Sequence, residues 1–154
     1  MCAGGYDGKG NEIDTVHMYM SEGDQWIAMP SMQCRRSDAA MAELNGVLYV
    51  CGGWNETYGY LDSIECFDTA EWRWIRIAAQ MKTKRTGHAL VCLDKCLYAV
   101  GGRDGSVYLN SVEALPLYKQ SKNDSGSTNT TTQPLAIPQM LDEHSWFACV
   151  VHRV

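Results

Sequence analysis

MKTKRTGHALVCLDKCLYAVGGRDGSVYLNSVE, residues 81–113, carries two short apolar runs, a glycine doublet, a polar loop and a third apolar run. His88–Leu93 is the first run and Asp94-Lys95 a two-residue turn; Cys96–Val100 is the second and ends at Gly101-Gly102. Ser111–Leu115 is the third. Runs of this length bounded by turn residues read as strands, and helical periodicity is absent. The same pieces recur upstream. Leu44–Gly53 lines up with Leu93–Gly102, and Met32–Arg36 with Met81–Arg85, both at a step of 49. Glycine doublets begin at Gly4, Gly52 and Gly101, Val16, Ile64 and Val112 head matching segments, and Trp26 and Trp74 lie 48 apart. Features recurring in one order at one period are the mark of an internal repeat.

Each unit reads as four short strands. Ala39–Leu44 and Val47–Cys51 flank Asn45-Gly46, the strongest two-residue hairpin signal because both central positions need positive φ. Ser63–Phe67 is the third strand, and the fourth contains Trp74, or Trp26 in the preceding unit. Gly4, Gly5, Gly52, Gly53, Gly101 and Gly102 suit a bend where a neighbour approaches closely. Trp26 and Trp74, with Tyr19 and Phe67 in the third strands, are expected to cover the sheets as structural residues. The fold class is all-β.

In period and motif order the chain resembles the kelch repeat, each unit of which is one blade of a β-propeller. The closest resemblance is to the kelch-like adaptors, whose propellers follow BTB and BACK domains. It covers residues 1–118 strongly and 140–154 weakly. It implies an incomplete propeller of about three four-stranded blades: 1–30 as outer strands of a partial blade, 31–80 and 81–138 as blades, and 139–154 as the first strand of another. Since kelch propellers have about six blades, a truncated gene model or a domain fragment is expected, with a part that completes itself with another chain as the third reading. Three departures stand out. Residues 119–133, rich in Ser, Thr and Asn, are expected to be a mobile loop; Leu115 replaces an aromatic; and Asp38 replaces Gly87, which puts that strand start in doubt.

Composition narrows the function. Among 154 residues, 13 Lys/Arg against 18 Asp/Glu give a net charge of −5, unsuited to general nucleic-acid binding. No apolar run reaches the ~20 residues of a membrane span, and no export signal is visible. Seven cysteines, an odd number without a CxxC pair, read as reduced thiols in a cytoplasmic protein. Cys34, beside Arg35 and Arg36, is the one thiol in electropositive surroundings. His17, His88, His144 and His152 lack metal-ligand spacing, and no catalytic motif is present. Neither a cofactor nor a metal is expected, and the chain is read as a non-enzyme.

The resemblance implies a partner-binding face where the loops before each first strand and after each glycine doublet emerge together. Carried over, the pre-strand positions are Arg36, Arg85 and His144, and those after the doublets are Tyr6, Trp54 and Arg103, with Tyr58, Tyr60 and Tyr108 further along. Arg36 and Arg85 could equally bond neighbouring blade backbones. Arg35, Arg36, Lys82, Lys84, Arg85 and Arg103 all fall in these loops, so an acidic or phosphorylated peptide is expected, held by the Arg36 and Arg85 forks. The function so implied is substrate recognition in a cullin-3 ubiquitin ligase adaptor, with the cullin recruited through BTB and BACK segments that these residues do not include. An actin-associated kelch scaffold is a variant. A kelch-fold enzyme of copper-oxidase or sugar-isomerase type is the alternative, marked by a metal or a polar channel lined by His17 or His88.

Overall fold

The computed structural model describes residues 1–93, 96–116 and 139–144. The Asp94-Lys95 turn, the 119–133 insert, Leu135–Ile137 and the expected strand beyond His144 lie outside these residues. Every element described is a strand and every pairing is antiparallel.

Three blade-like sheets follow one another. The first comprises β1 (Cys2–Ala3), β2 (Val16–Met20) and β3 (Gln25–Met29) in that order. The second shows all four strands, β4 (Ala40–Leu44), β5 (Val47–Cys51), β8 (Ser63–Asp68) and β9 (Arg73–Gln80), and the doublet loop within it forms a small hairpin of β6 (Trp54–Asn55) and β7 (Gly59–Tyr60). The third comprises β10 (Ala89–Leu93), β11 (Cys96–Val100) and β12 (Val112–Pro116).

Local chemistry explains the turns. Asn45 and Gly46 have φ of 52° and 79°, the two left-handed positions of a tight hairpin turn. Asp38 adopts φ 50°, close to the 57° of Gly87, so β4 and β10 start in equivalent places. The doubt over that strand start is thereby removed, because aspartate tolerates the left-handed region better than most residues.

Strand alternation divides the core between blade junctions. Neighbouring residues in β5 point opposite ways: Val50 joins Val16, Met32, Phe67 and Trp74, whereas Cys51 joins Ile64, Leu90, Leu97, Ala99 and Leu115. The first group seals the first and second blades together, and the second group seals the second and third. Leu115 is buried in the second group without an aromatic ring.

Trp26 corrects an expectation. Trp74 and Phe67 are 2% and 3% exposed, but their counterparts Trp26 and Tyr19 are 56% and 45% exposed. The Tyr19 and Trp26 rings lie 5.5 Å apart, and Tyr19 hydroxyl donates to Asp24 Oδ1 (2.6 Å). Trp74 is covered by the first blade, and among the described residues no blade covers Trp26. Trp72 packs edge-on against Phe67 at 5.2 Å yet stays half exposed.

Candidate functional site

The segment before each first strand docks on the preceding blade in one pattern, repeated three times. Met32 and Arg36 amides donate to the Asp14 and Ile13 carbonyls, and Gly5 amide donates to Arg36 carbonyl (2.9, 3.2 and 2.9 Å). Met81, Arg85 and Gly53 repeat this with Asp62, Leu61 and Arg85 carbonyl (3.0, 3.1 and 2.8 Å). Met140, His144 and Gly102 repeat it with Asn110, Leu109 and His144 carbonyl (2.8, 3.3 and 2.6 Å). His144 thus occupies the arginine place of a third segment, with its side chain exposed. At Gly52 nothing larger fits: φ is 61° and a Cβ there would lie 2.5 Å from Arg85 carbonyl oxygen.

The two arginines pin the segment to the following blade. Arg36 Nη1 donates to the Gly52 and Ser63 carbonyls (2.8 and 3.3 Å), and Nη2 to Ser63 Oγ and Glu65 Oε1 (3.2 and 2.6 Å). Arg85 repeats this with the Gly101 and Ser111 carbonyls and Ser111 Oγ (2.7, 3.1 and 2.8 Å), and Glu113 lies 3.8 Å away. Glu65 also accepts from the Gln33 and Cys34 amides (2.6 and 3.2 Å), and Glu113 from those of Lys82 and Thr83. Arg36 and Arg85 are 0% and 1% exposed. The expectation of two open guanidinium forks is therefore corrected: a buried charge needs paired acceptors, and these acceptors lie within the blades. Glu65 and Glu113 escaped the reading of the sequence. Their signal was Ser-x-Glu at a step of 48, Ser63/Glu65 and Ser111/Glu113, replaced by Thr15/His17 in the first unit.

The loops after the doublets form the exposed surface. Tyr6 pairs across its loop with Glu12, Trp54 with Tyr60 and Arg103 with Tyr108. Each loop is braced by an acceptor side chain two places after the doublet: Asp7 takes the Lys9 and Asn11 amides, Asn55 those of Thr57 and Tyr58, and Asp104 those of Ser106 and Val107. Hydrogen bonds from the Asn11 side chain and amide hold the Asp7 carboxyl below the usual carboxylate range, and those from Val107 and Ser106 do the same for Asp104. Asn55 Nδ2 donates to Arg35 carbonyl (2.7 Å) and ties the second loop to the pre-strand segment. The Tyr60 ring lies against Gly105 of the next loop. Tyr6, Tyr58 and Tyr108 are 50%, 68% and 45% exposed, Trp54 is half-buried, and the Arg103 guanidinium lies 5.5 Å from the Tyr108 ring centre. Tyr6, Trp54, Tyr58, Arg103 and Tyr108 thus share one rim, opposite the Asn45-Gly46 hairpin.

Reactive chemistry is sparse. No group of three or more His, Cys, Asp or Glu among the described residues could hold a metal ion. His88 is buried with both ring nitrogens lacking hydrogen-bond partners, and burial, aided by Arg85, pushes its pKa down to about 3. His17 is exposed on the first sheet. Arg36 does pull on the Cys34 thiol, but burial outweighs it and raises the thiol above its ordinary value, so a thiolate is not favoured there. None of the six described cysteines forms a disulfide, and no helix among the described residues is long and apolar enough to cross a membrane.

The family model described as the KLHDC2/KLHL20/DRC7 Kelch-repeats domain matches residues 1–153. The chain is 34% identical over 117 residues to human (Homo sapiens) Kelch-like protein 28, covering 71% of this chain and 20% of that protein. It is 28% identical over 129 residues to Kelch-like protein 36 of Rattus norvegicus (81% and 19%), and 33% identical over 95 residues to Kelch-like protein 23 of Mus musculus (60% and 16%). The matches span about a fifth of these relatives' length.

Proposed function

The chain belongs to the kelch-repeat family, and on that premise we propose that its loop rim is the substrate-recognition surface of a cullin-3 ubiquitin ligase adaptor working in the cytoplasm. Protein interaction is the shared business of such repeats; the adaptor role is the finer step. One observation carries the choice of rim. The aromatics Tyr6, Tyr58 and Tyr108 are exposed, yet the loops bearing them are braced by Asx turns and tied to the blades. Rigid, exposed aromatics give contact area at little ordering cost, which is how protein interfaces concentrate affinity. Cysteines outside disulfides suit a reducing compartment.

The partner's acidic character, which rested on the Arg36 and Arg85 forks, loses those two donors. Arg35, Lys82 and Lys84 remain exposed and Arg103 half-buried over Tyr108.

The reading is tested in cells with a photo-crosslinking amino acid at Tyr58 or at Gly46 on the opposite rim. Cross-links to a discrete partner from Tyr58 and not from Gly46 are expected, with ubiquitination of that partner falling when cullin-3 is depleted. Cross-links from Gly46 alone would overturn the choice of rim, and unchanged ubiquitination the adaptor role.

A further inference from the structure

One loop of the rim differs in chemistry from the other two. Glu12 stands where Tyr60 and Tyr108 stand, opposite Tyr6 as they are opposite Trp54 and Arg103. It is only 8% exposed, and it lines a cleft of about 360 Å³ together with Asp7, Asp14, Thr15, Arg35 and Glu56. Among the described residues no donor bonds the Glu12 carboxylate and no cation lies within ion-pair distance of it. The other buried glutamates show what such a group requires: Glu65 and Glu113 each face an arginine and accept two backbone amides. Glu12 is instead packed by its neighbours with its carboxylate opening to the cleft, so an incoming cation supplies the partner the fold does not.

The surroundings select the ligand's charge. Four carboxylates line the cleft against one guanidinium, and Arg35 is exposed with no ion pair among the described residues. Asp7, its lone pairs taken by Asn11 and Lys9, stays ionised and adds to the field without needing the ligand. Among the described residues no group of three or more His, Cys, Asp or Glu could hold a metal ion, and a protein partner at this rim presents its cations as arginine and lysine side chains. We propose that this cleft, between the first- and second-blade loops, takes an arginine or lysine side chain of the protein partner, with Glu12 as its buried counter-charge. The inference rests on the loop rim being the partner face, and it makes the ligand's anchoring residue basic, where the arginines of the sequence suggested acidic. A guanidinium could bond Glu12 and a mouth carboxylate together through its planar fork.

The test titrates the 154-residue chain with acetyl-Gly-Arg-Gly-amide, its lysine analogue and its citrulline analogue, which keeps the shape of arginine without the charge. Backbone amide shifts of residues 7–15 and 35 report binding. The arginine and lysine peptides are expected to bind more weakly as salt rises, and the citrulline peptide at least about tenfold more weakly than arginine. Glu12→Gln should lower arginine-peptide affinity by at least about tenfold, with the amide spectrum elsewhere unchanged. Equal binding of arginine and citrulline peptides, or no binding of either, overturns the proposal even if the Glu12 variant fails to fold; unchanged affinity in a folded variant does so too. Arginine binding that depends on Glu12, combined with cross-links from Gly46 alone, would remove the rim reading and leave the cleft. Cross-links from Tyr58 with no discrimination between arginine and citrulline would do the reverse.

Discussion

Arg36 and Glu65 form a junction in which every acceptor belongs to the blade behind the doublet, so the pair acts as a fastener between repeats. Arg36→Ala leaves Glu65 buried without its counter-charge and should cost about 3–5 kcal/mol in urea unfolding. Arg103→Ala, on the partly exposed rim, should stay within about 0.5 kcal/mol. His88 adds a pH dependence whose sign follows from its burial. Its folded pKa is pushed down to about 3, against ~6.5 when unfolded, so between those values the unfolded chain binds the extra proton. The contribution is fully present above pH ~6.5 and is lost as pH falls toward 3, at about 1.4 kcal/mol per pH unit within the window. Chemical denaturation between pH 4 and 7 should show this slope, and His88→Leu should flatten it.

Strands and turns were legible to different degrees. Val47–Cys51 and Cys96–Val100 stand where the apolar runs and the doublets put them, because alternation and punctuation are local properties. β9 runs on to Gln80, and β12 starts at Val112, one residue after Ser111. The small β6–β7 hairpin had no apolar signal, since it is held by Trp54 and Ser37 exchanging backbone bonds (3.0 and 2.9 Å) and by the Asn55 side chain. Asp38 offers a test at this scale. Asp38→Gly should be within about 1 kcal/mol of wild type, as relief at φ 50° is offset by the looser unfolded chain, while Asp38→Val should lose about 1–2 kcal/mol. Thermal unfolding of the two variants distinguishes a conformational from a side-chain role. Asn55 opens an N-x-T sequon, but it is 7% exposed and its Nδ2 is engaged, so the local motif does not make it an acceptor.

At the scale of the whole molecule, the contrast between Trp26 and Trp74 governs behaviour in solution. Exposed Tyr19 and Trp26 form an apolar face whose counterpart one blade on is sealed, and such a face favours association. At micromolar concentration the chain should therefore sediment as more than a monomer, and Trp26→Lys should shift it toward monomer; identical sedimentation of the two proteins would show that this face is not responsible. The sequence alone determined the repeat, the strand order and the turn positions, because each follows from neighbours within a few residues. It could not say that Trp26 and Trp74, alike in local context, differ in burial, because burial is conferred by the next blade across the sheet face. Only the tertiary structure decided that Arg36 and Arg85 point into carbonyls and a carboxylate 16 to 29 residues away. The same holds for Glu12, an ordinary loop residue in sequence, which packing leaves 8% exposed at a cleft shared with Arg35 and Glu56. Periodicity reports what the chain repeats; which charges face the solvent is a long-range property of packing, set by residues that periodicity does not connect.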